Sequence, residues 1–302
     1  MIPKPLFRPG FYRWAAKTSR TVTDDSVLRL KFVLAAVRNW DLAERLSAAD
    51  ASTAFGRFLI DNPETVVNLL RPYQCAAWGP RERFKRIEQH AAVVETLGLT
   101  MQSHEKVWLA DLGFVSAGSS LILDRPAWLS REGDLTLSLF KDTFRAFSLS
   151  FTLADTPERT LFVGGLQGRS TDSALDLYRS LTKEFYGIRP SDLMIEMTRL
   201  FAEKAGVKKI FAVADGYRIA THRYFAGHEP HLSYDRVWEE RGGRQIDQTK
   251  FQIPLEMQRR DLSEVVSKKR NMYKQRYAML DEIKTALPAN LSDAARLSFD
   301  AV

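Results

Sequence analysis

Apolar positions recur at helical spacing through the first hundred residues. After Pro80, Phe84, Ile87, Ala91, Val94 and Leu97 fall on one face, and Gly98 supplies a stop. Pro63 and Pro80 each suit a first helical position, where the missing N–H costs nothing. Phe55, Phe58 and Leu59 make a short apolar face, and Leu70-Arg71-Pro72-Tyr73 interrupts the pattern. Residues 1–105 therefore read as a helical lobe without chemistry of its own.

From Lys106 the period becomes two. Leu121 and Leu123 flank Ile122, Leu135, Leu137 and Leu139 alternate with Thr136 and Ser138, and Phe147, Leu149, Phe151 and Leu153 repeat the pattern. With Thr160–Val163 these make successive strands in short connection, an antiparallel meander. The period then returns to helical. Leu177, Leu181 and Phe185 end at Gly187, and Leu193, Met197, Leu200 and Phe201 run from Pro190 to Gly206. Ile210–Val213 reads as a buried strand parallel to an earlier one, Phe251–Ile253 as another strand, and Tyr273, Tyr277, Leu280, Ile283 and Leu287 as the stripe of a last helix. The fold class is α+β, a mixed and largely antiparallel sheet with a β-α-β core. Three parts are expected: the helical lobe, a core over 106–260, and a basic helical tail over 261–302 packed on that core. The strands from Leu121 to Val163 and Ile210–Val213 are expected in one sheet, since neither group alone can bury both faces.

Charge narrows the partners. The 302 residues carry 44 Lys/Arg against 37 Asp/Glu, a net +7. That favours anionic partners: phosphorylated small molecules, nucleic acid or an acidic membrane surface. Seven Lys/Arg against two acids lie between Arg259 and Arg276. No run approaches the roughly 18 apolar residues of a membrane span. Cys75, the one cysteine, excludes an internal disulfide and a four-cysteine zinc site. A soluble protein of a reducing compartment such as the cytoplasm is expected.

Four segments carry candidate chemistry. The run Leu161 to Asp172 places Gly164, Gly165, Gln167, Gly168 and Arg169 between a strand and a helix. Such a turn either presents N–H groups to an anion or is a plain β–α turn capped by Thr171 or Asp172. His222, His228 and His231 lie within ten residues, with Asp235 behind them. Their spacing matches no zinc or iron signature, so surface histidines and a metal-dependent oxygenase or hydrolase are both open. Tyr234 and Asp235, before Trp238 and Gly242-Gly243, suit either a substrate pocket or a packed loop. Lys268, Lys269 and Arg270 open a basic helix that either binds polyanions or solvates one face while docking the other.

Arg71-Pro72-Tyr73, the Leu161-to-Arg169 run, Tyr234-Asp235 with Trp238 and Gly242-Gly243, and Ser267 to Arg270 with Tyr273 and Arg276-Tyr277 resemble the VirK/YbjX family. The resemblance runs from about Leu70 to Ile283. It implies a bacterial protein linked to virulence, intracellular survival and resistance to cationic antimicrobial peptides through envelope lipid changes, and it brings no catalytic residues. The element order is also similar to GNAT acyltransferases, which implies a coenzyme A pyrophosphate on the turn and an acyl group in a splayed strand pair. The Arg/Gln-x-x-Gly-x-Gly/Ala turn of those enzymes is absent here, and the helix from Thr171 to Tyr186 is additional. The expectation is an acyl or aminoacyl transferase acting on an amine or hydroxyl of a peptide or envelope-related substrate. Gly164, Gly165, Gln167, Gly168 and Arg169 would hold acyl-CoA or another phosphorylated donor, with Asp235, Tyr234 or His222 taking the proton. The alternative is a non-enzymatic protein that binds nucleic acid or anionic membrane through Lys268, Lys269 and Arg270.

Overall fold

Cap and proline chemistry set the helices of the first hundred residues. In the computed structural model, which describes residues 9–102, 105–169, 171–221 and 232–298, helix α1 spans Pro9–Val22. Helix α2 (Ser26–Arg38) starts where the Asp25 carboxylate accepts the N–H groups of Val27 and Leu28. Helices α3 (Trp40–Ser47) and α4 (Ala54–Asp61) follow, the latter capped by the Thr53 hydroxyl on the Gly56 N–H. Pro63 opens a 3-10 helix over Pro63–Leu69, and Pro80 opens α5 over Pro80–Thr96. Helix α5 serves two cores. Its Phe84, Ile87 and Ala91 pack with Phe11, Phe32 and Leu42 of the helical lobe, while Val93 and Val94 join the larger core under the sheet.

Among the described residues the sheet has nine strands. They are β1 (Glu105–Asp111), β2 (Ser119–Asp124), β3 (Leu135–Lys141), β4 (Phe144–Ala154), β5 (Thr160–Gly168), β6 (Lys209–Val213), β7 (Arg244–Asp247), β8 (Lys250–Ile253) and β9 (Ala295–Ser298). Their order is β7-β8-β6-β5-β4-β3-β2-β1-β9. Only β5–β6 is parallel, joined through α6 (Asp172–Glu184) and α7 (Pro190–Lys204). The meander and Ile210–Val213 thus share one mixed, mostly antiparallel sheet, as the strand count required. Gly187 and Gly206 end α6 and α7 with φ of 77° and 69°, a region that a side chain resists. Helix α8 spans Tyr234–Glu240, and α9 (Ser267–Ala286) buries Met279, Leu280 and Ile283 in the larger core.

The alternation gives the sheet two different faces. Leu135, Leu137, Leu149 and Phe151 face the apolar core, where the Phe151 and Phe201 rings lie 5.2 Å apart. The opposite face carries Thr136, Ser138, Ser148, Ser150 and Thr152, and all five are buried. They bond across strands, Thr136 to Ser150 at 2.9 Å and Ser138 to Ser148 at 3.0 Å. Gln74 adds a rivet: its amide donates to the carbonyls of Phe162 and Glu132, and its carbonyl accepts the Thr152 hydroxyl.

The glycine run is a strand, which corrects the turn expected from the sequence. Ser150 pairs with Gly165 and Phe151 with Val163, so Gly164 is the extra residue of a β-bulge. Glycine is required there by contact, since a Cβ on Gly164 would stand 2.1 Å from the Glu132 carbonyl oxygen. Gly164→Ala should therefore lose about 1–3 kcal/mol in urea unfolding. Gly216→Ala, with nothing within 4 Å of its Cβ, should stay within about 0.5 kcal/mol of the parent. Equal stability of the two variants would contradict this packing.

Candidate functional site

Beyond Val163 and Ala212 the parallel strands part, because β5 carries on to Gly168 without a partner on that side. Helix α8 fills the opening. The Tyr234 hydroxyl accepts the Leu166 N–H and donates to the Leu166 carbonyl at 2.9 Å, and the Trp238 indole donates to the Val213 carbonyl at 2.9 Å. Both side chains are buried, and burial pushes the Tyr234 phenol up. Arg218 stacks on the Tyr234 ring, 3.5 Å from its centroid. Asp215 anchors the start of α8, accepting the Tyr234 N–H at 2.8 Å, the Asp235 N–H and the Ser233 hydroxyl. Burial raises the Asp215 pKa, but these donors outweigh it and the net shift is downward. Asp235 returns the contact by accepting the Asp215 N–H at 2.7 Å.

Across β5 from Tyr234 lies Glu132. It comes from the segment between β2 and β3 that covers the polar sheet face, and it is 6% exposed. Gln167 donates to its Oε1, while Oε2 is buried without a hydrogen-bond partner and lies against Gly165. Burial lifts the Glu132 carboxyl to about 7, opposed by the nearby Arg218 charge, the Gln167 bond and Arg131. A carboxyl titrating near neutrality with a free oxygen suits proton transfer. Gln167 also lines a cavity of about 100 Å³ with Trp128, Arg145, Ser148 and Arg169. Arg145 stacks 5.4 Å from the Trp128 ring and pairs with Asp124.

The residues singled out from sequence separate into three groups. Gly164, Gly165, Gln167, Gly168, Arg169, Tyr234 and Asp235 come together around the end of β5. Within that group, Gly165 takes the Glu132 carboxyl against it and Gly168 takes the Phe147 ring and the Tyr178 hydroxyl. The Arg169 N–H is already donated to Tyr178, so the run offers solvent the exposed side chains of Gln167 and Arg169. Lys268, Lys269 and Arg270 sit apart on the first turn of α9, all exposed, with Arg270 donating to the Val265 and Ser263 carbonyls. His222, His228 and His231 lie outside the described residues, and no group of potential metal ligands occurs among the described residues. Cys75 is buried and its thiol is raised by burial, which disfavours a thiolate. Glu132, Arg218 and Arg145 were not singled out from sequence. The only signal was position: Glu132-Gly133-Asp134 ends a loop between two strongly patterned strands.

The titration of Glu132 has a consequence for stability. Its folded value of about 7 lies above the ordinary 4.5, so its contribution is complete below about pH 4.5 and is lost as pH rises through about 7. Glu132→Gln keeps the shape and removes the titration. The variant should gain on the parent by up to about 3 kcal/mol between pH 4.5 and 8 in urea unfolding. A difference independent of pH would contradict a raised Glu132.

Comparison with known proteins places the chain without supplying an activity. An uncharacterized protein from Escherichia coli strain K12, YbjX, is 30% identical over 241 residues, covering 75% of this chain and 72% of its own. An uncharacterized protein from Haemophilus influenzae is 28% identical over 241 residues, covering 78% of this chain and 80% of its own. No solved structure matches the chain. No described helix is long and apolar enough to cross a membrane. The model of the family described as protein of unknown function DUF535 matches residues 23–289, and the chain belongs to that family.

Proposed function

We propose that the chain is an acyl-transferring protein whose reaction centre lies at the end of β5, with Glu132 as the group that takes the proton. The observation that carries this reading is the Glu132 carboxyl: buried, raised to about 7, and with one oxygen unpartnered beside the bulge of β5. The order meander, helix pair, parallel strand supports the likeness to GNAT acyltransferases. Arg169 would hold the phosphates of an acyl-CoA or a similar donor at the start of α6, where the Thr171 hydroxyl already takes the Ala174 N–H. An amine or hydroxyl of a peptide or envelope-related substrate would lose its proton to Glu132 as it attacks the thioester carbonyl. The new C–N or C–O bond then replaces the C–S bond, and the leaving thiolate takes up a proton. Tyr234 and Asp235 enter this reading as positioning residues. The donor would either displace Tyr234 from Leu166 or lie on the Gln167–Arg169 side.

Coenzyme A and acyl-CoA species should raise the melting temperature of the purified full chain, because they would bind the folded form. Release of free thiol from acyl-CoA with a panel of amine acceptors should fall by about 10²-fold or more in Glu132→Gln. That variant should keep the thermal shift, since donor binding is assigned to other residues. No thermal shift with any CoA species, or full turnover in Glu132→Gln, would overturn the proposal.

A further inference from the structure

The chain holds a second cavity, of about 320 Å³, between α7, the end of α8, α9 and residues 257–260. Five arginines line it (Arg199, Arg241, Arg259, Arg260 and Arg276) against two glutamates, Glu196 and Glu240. Residues of two sequence clusters that the proposed function leaves unused, Gly242 and Tyr273 with Arg276-Tyr277, meet in its wall.

The partners of these charges decide what the cavity can take. Arg199 is buried and satisfied. Its Nη1 donates to Glu196 at 2.8 Å, Nη2 to the Arg241 carbonyl at 2.7 Å and Nε to the Pro254 carbonyl at 3.0 Å. Arg259 pairs with Asp281, and Glu240 turns to Arg189 and Arg236. Arg276 meets the Tyr186 carbonyl and the Tyr273 face, and the Arg260 side chain has no hydrogen-bonded partner, so neither is paired with a carboxylate among the described residues. Only the Arg260 backbone is tied, its N–H donating to the Tyr277 hydroxyl at 2.9 Å. Arg241 reaches Asp192 at 3.3 Å, yet its Nε–H is buried without an acceptor. Two guanidiniums without a paired carboxylate, and the residue that carries the orphaned buried donor, therefore line one cavity. A buried donor without an acceptor is costly, and an anion that accepts from it recovers that cost.

We propose that this cavity binds the phosphoryl group of a phosphate monoester or diphosphate, with Arg260, Arg276 and the Arg241 Nε–H as its donors. Guanidinium forks match phosphate oxygens in pairs, and two positive charges match a dianion. The chemistry is shared by soluble phosphate compounds and by the headgroup of a phosphatidic acid.

Calorimetric titration of the full chain with inorganic pyrophosphate should show one site. Arg260→Gln removes a side chain that holds nothing in the fold, and it should weaken binding by about tenfold, the equivalent of one charge-assisted bond. Glu240→Gln should strengthen binding by removing a like charge, a gain that a merely structural role would not give. Lys268→Ala with Lys269→Ala should leave the affinity unchanged. Sedimentation with phosphatidylcholine vesicles carrying phosphatidic acid separates the sources. Loss of vesicle binding in Arg260→Gln assigns the site to a lipid headgroup, and pyrophosphate binding without sedimentation assigns it to a soluble compound. No pyrophosphate binding, equal affinity in Arg260→Gln, or an equal loss in the double lysine variant would overturn the proposal.

Discussion

The structure depends on the seat of the Glu132 segment on the bulged stretch of β5. Residues 125–134 must close the polar face of the sheet, and they come close only because Gly164 and Gly165 present no side chain there. Gln74 locks the same contact from the helical lobe by bridging Glu132, Phe162 and Thr152. Three parts of the chain distant in sequence are thereby joined at one point. Nearby, Arg125 is buried with Asp134 and pairs with Glu64, and Tyr73 bonds Asp134, so the lobe and the sheet share a hydrogen-bonded seam beside the apolar contact made by Val93 and Val94.

That seam explains why a carboxyl with a raised pKa sits where it does. Closing the polar face removes water from Ser and Thr residues that satisfy one another across strands, but it also carries Glu132 inward. Gln167 supplies one bond and Arg218 a nearby positive charge, and together they fall short of what burial takes away. A residue in that state is the kind of group that sites of proton transfer use. Tyr234 serves the other side of β5, where it gives the unpaired edge at Leu166 both a donor and an acceptor.

Much of the fold was legible in the sequence because its signals are local. The meander is written in the alternation of Leu135 to Leu139 and Phe147 to Leu153, and the helices are marked by Pro80, Pro190, Gly187 and Gly206. The glycine run reads as a turn in the sequence because glycine serves a turn and a bulge equally well; only the approach of Glu132 separates them. The buried Ser/Thr face was equally hidden, since a polar alternate position looks the same whether water or another segment covers it. The candidate site was half legible. Gln167, Arg169, Tyr234 and Asp235 lie where the sequence directed attention, while Glu132 sits in a loop without pattern, and its character is created by burial alone. The arginine cavity was illegible for a similar reason, as α7, α8 and α9 meet only in the folded chain.

The most direct test of this account is the titration of Glu132 itself. Carbon-13 NMR of side-chain-labelled glutamate, with Glu132→Gln to assign the signal, reads the carboxyl across the pH range. The account requires a glutamate signal with a midpoint near 7 that is missing from the variant. A Glu132 midpoint in the ordinary carboxylate range, near 4.5, would contradict it.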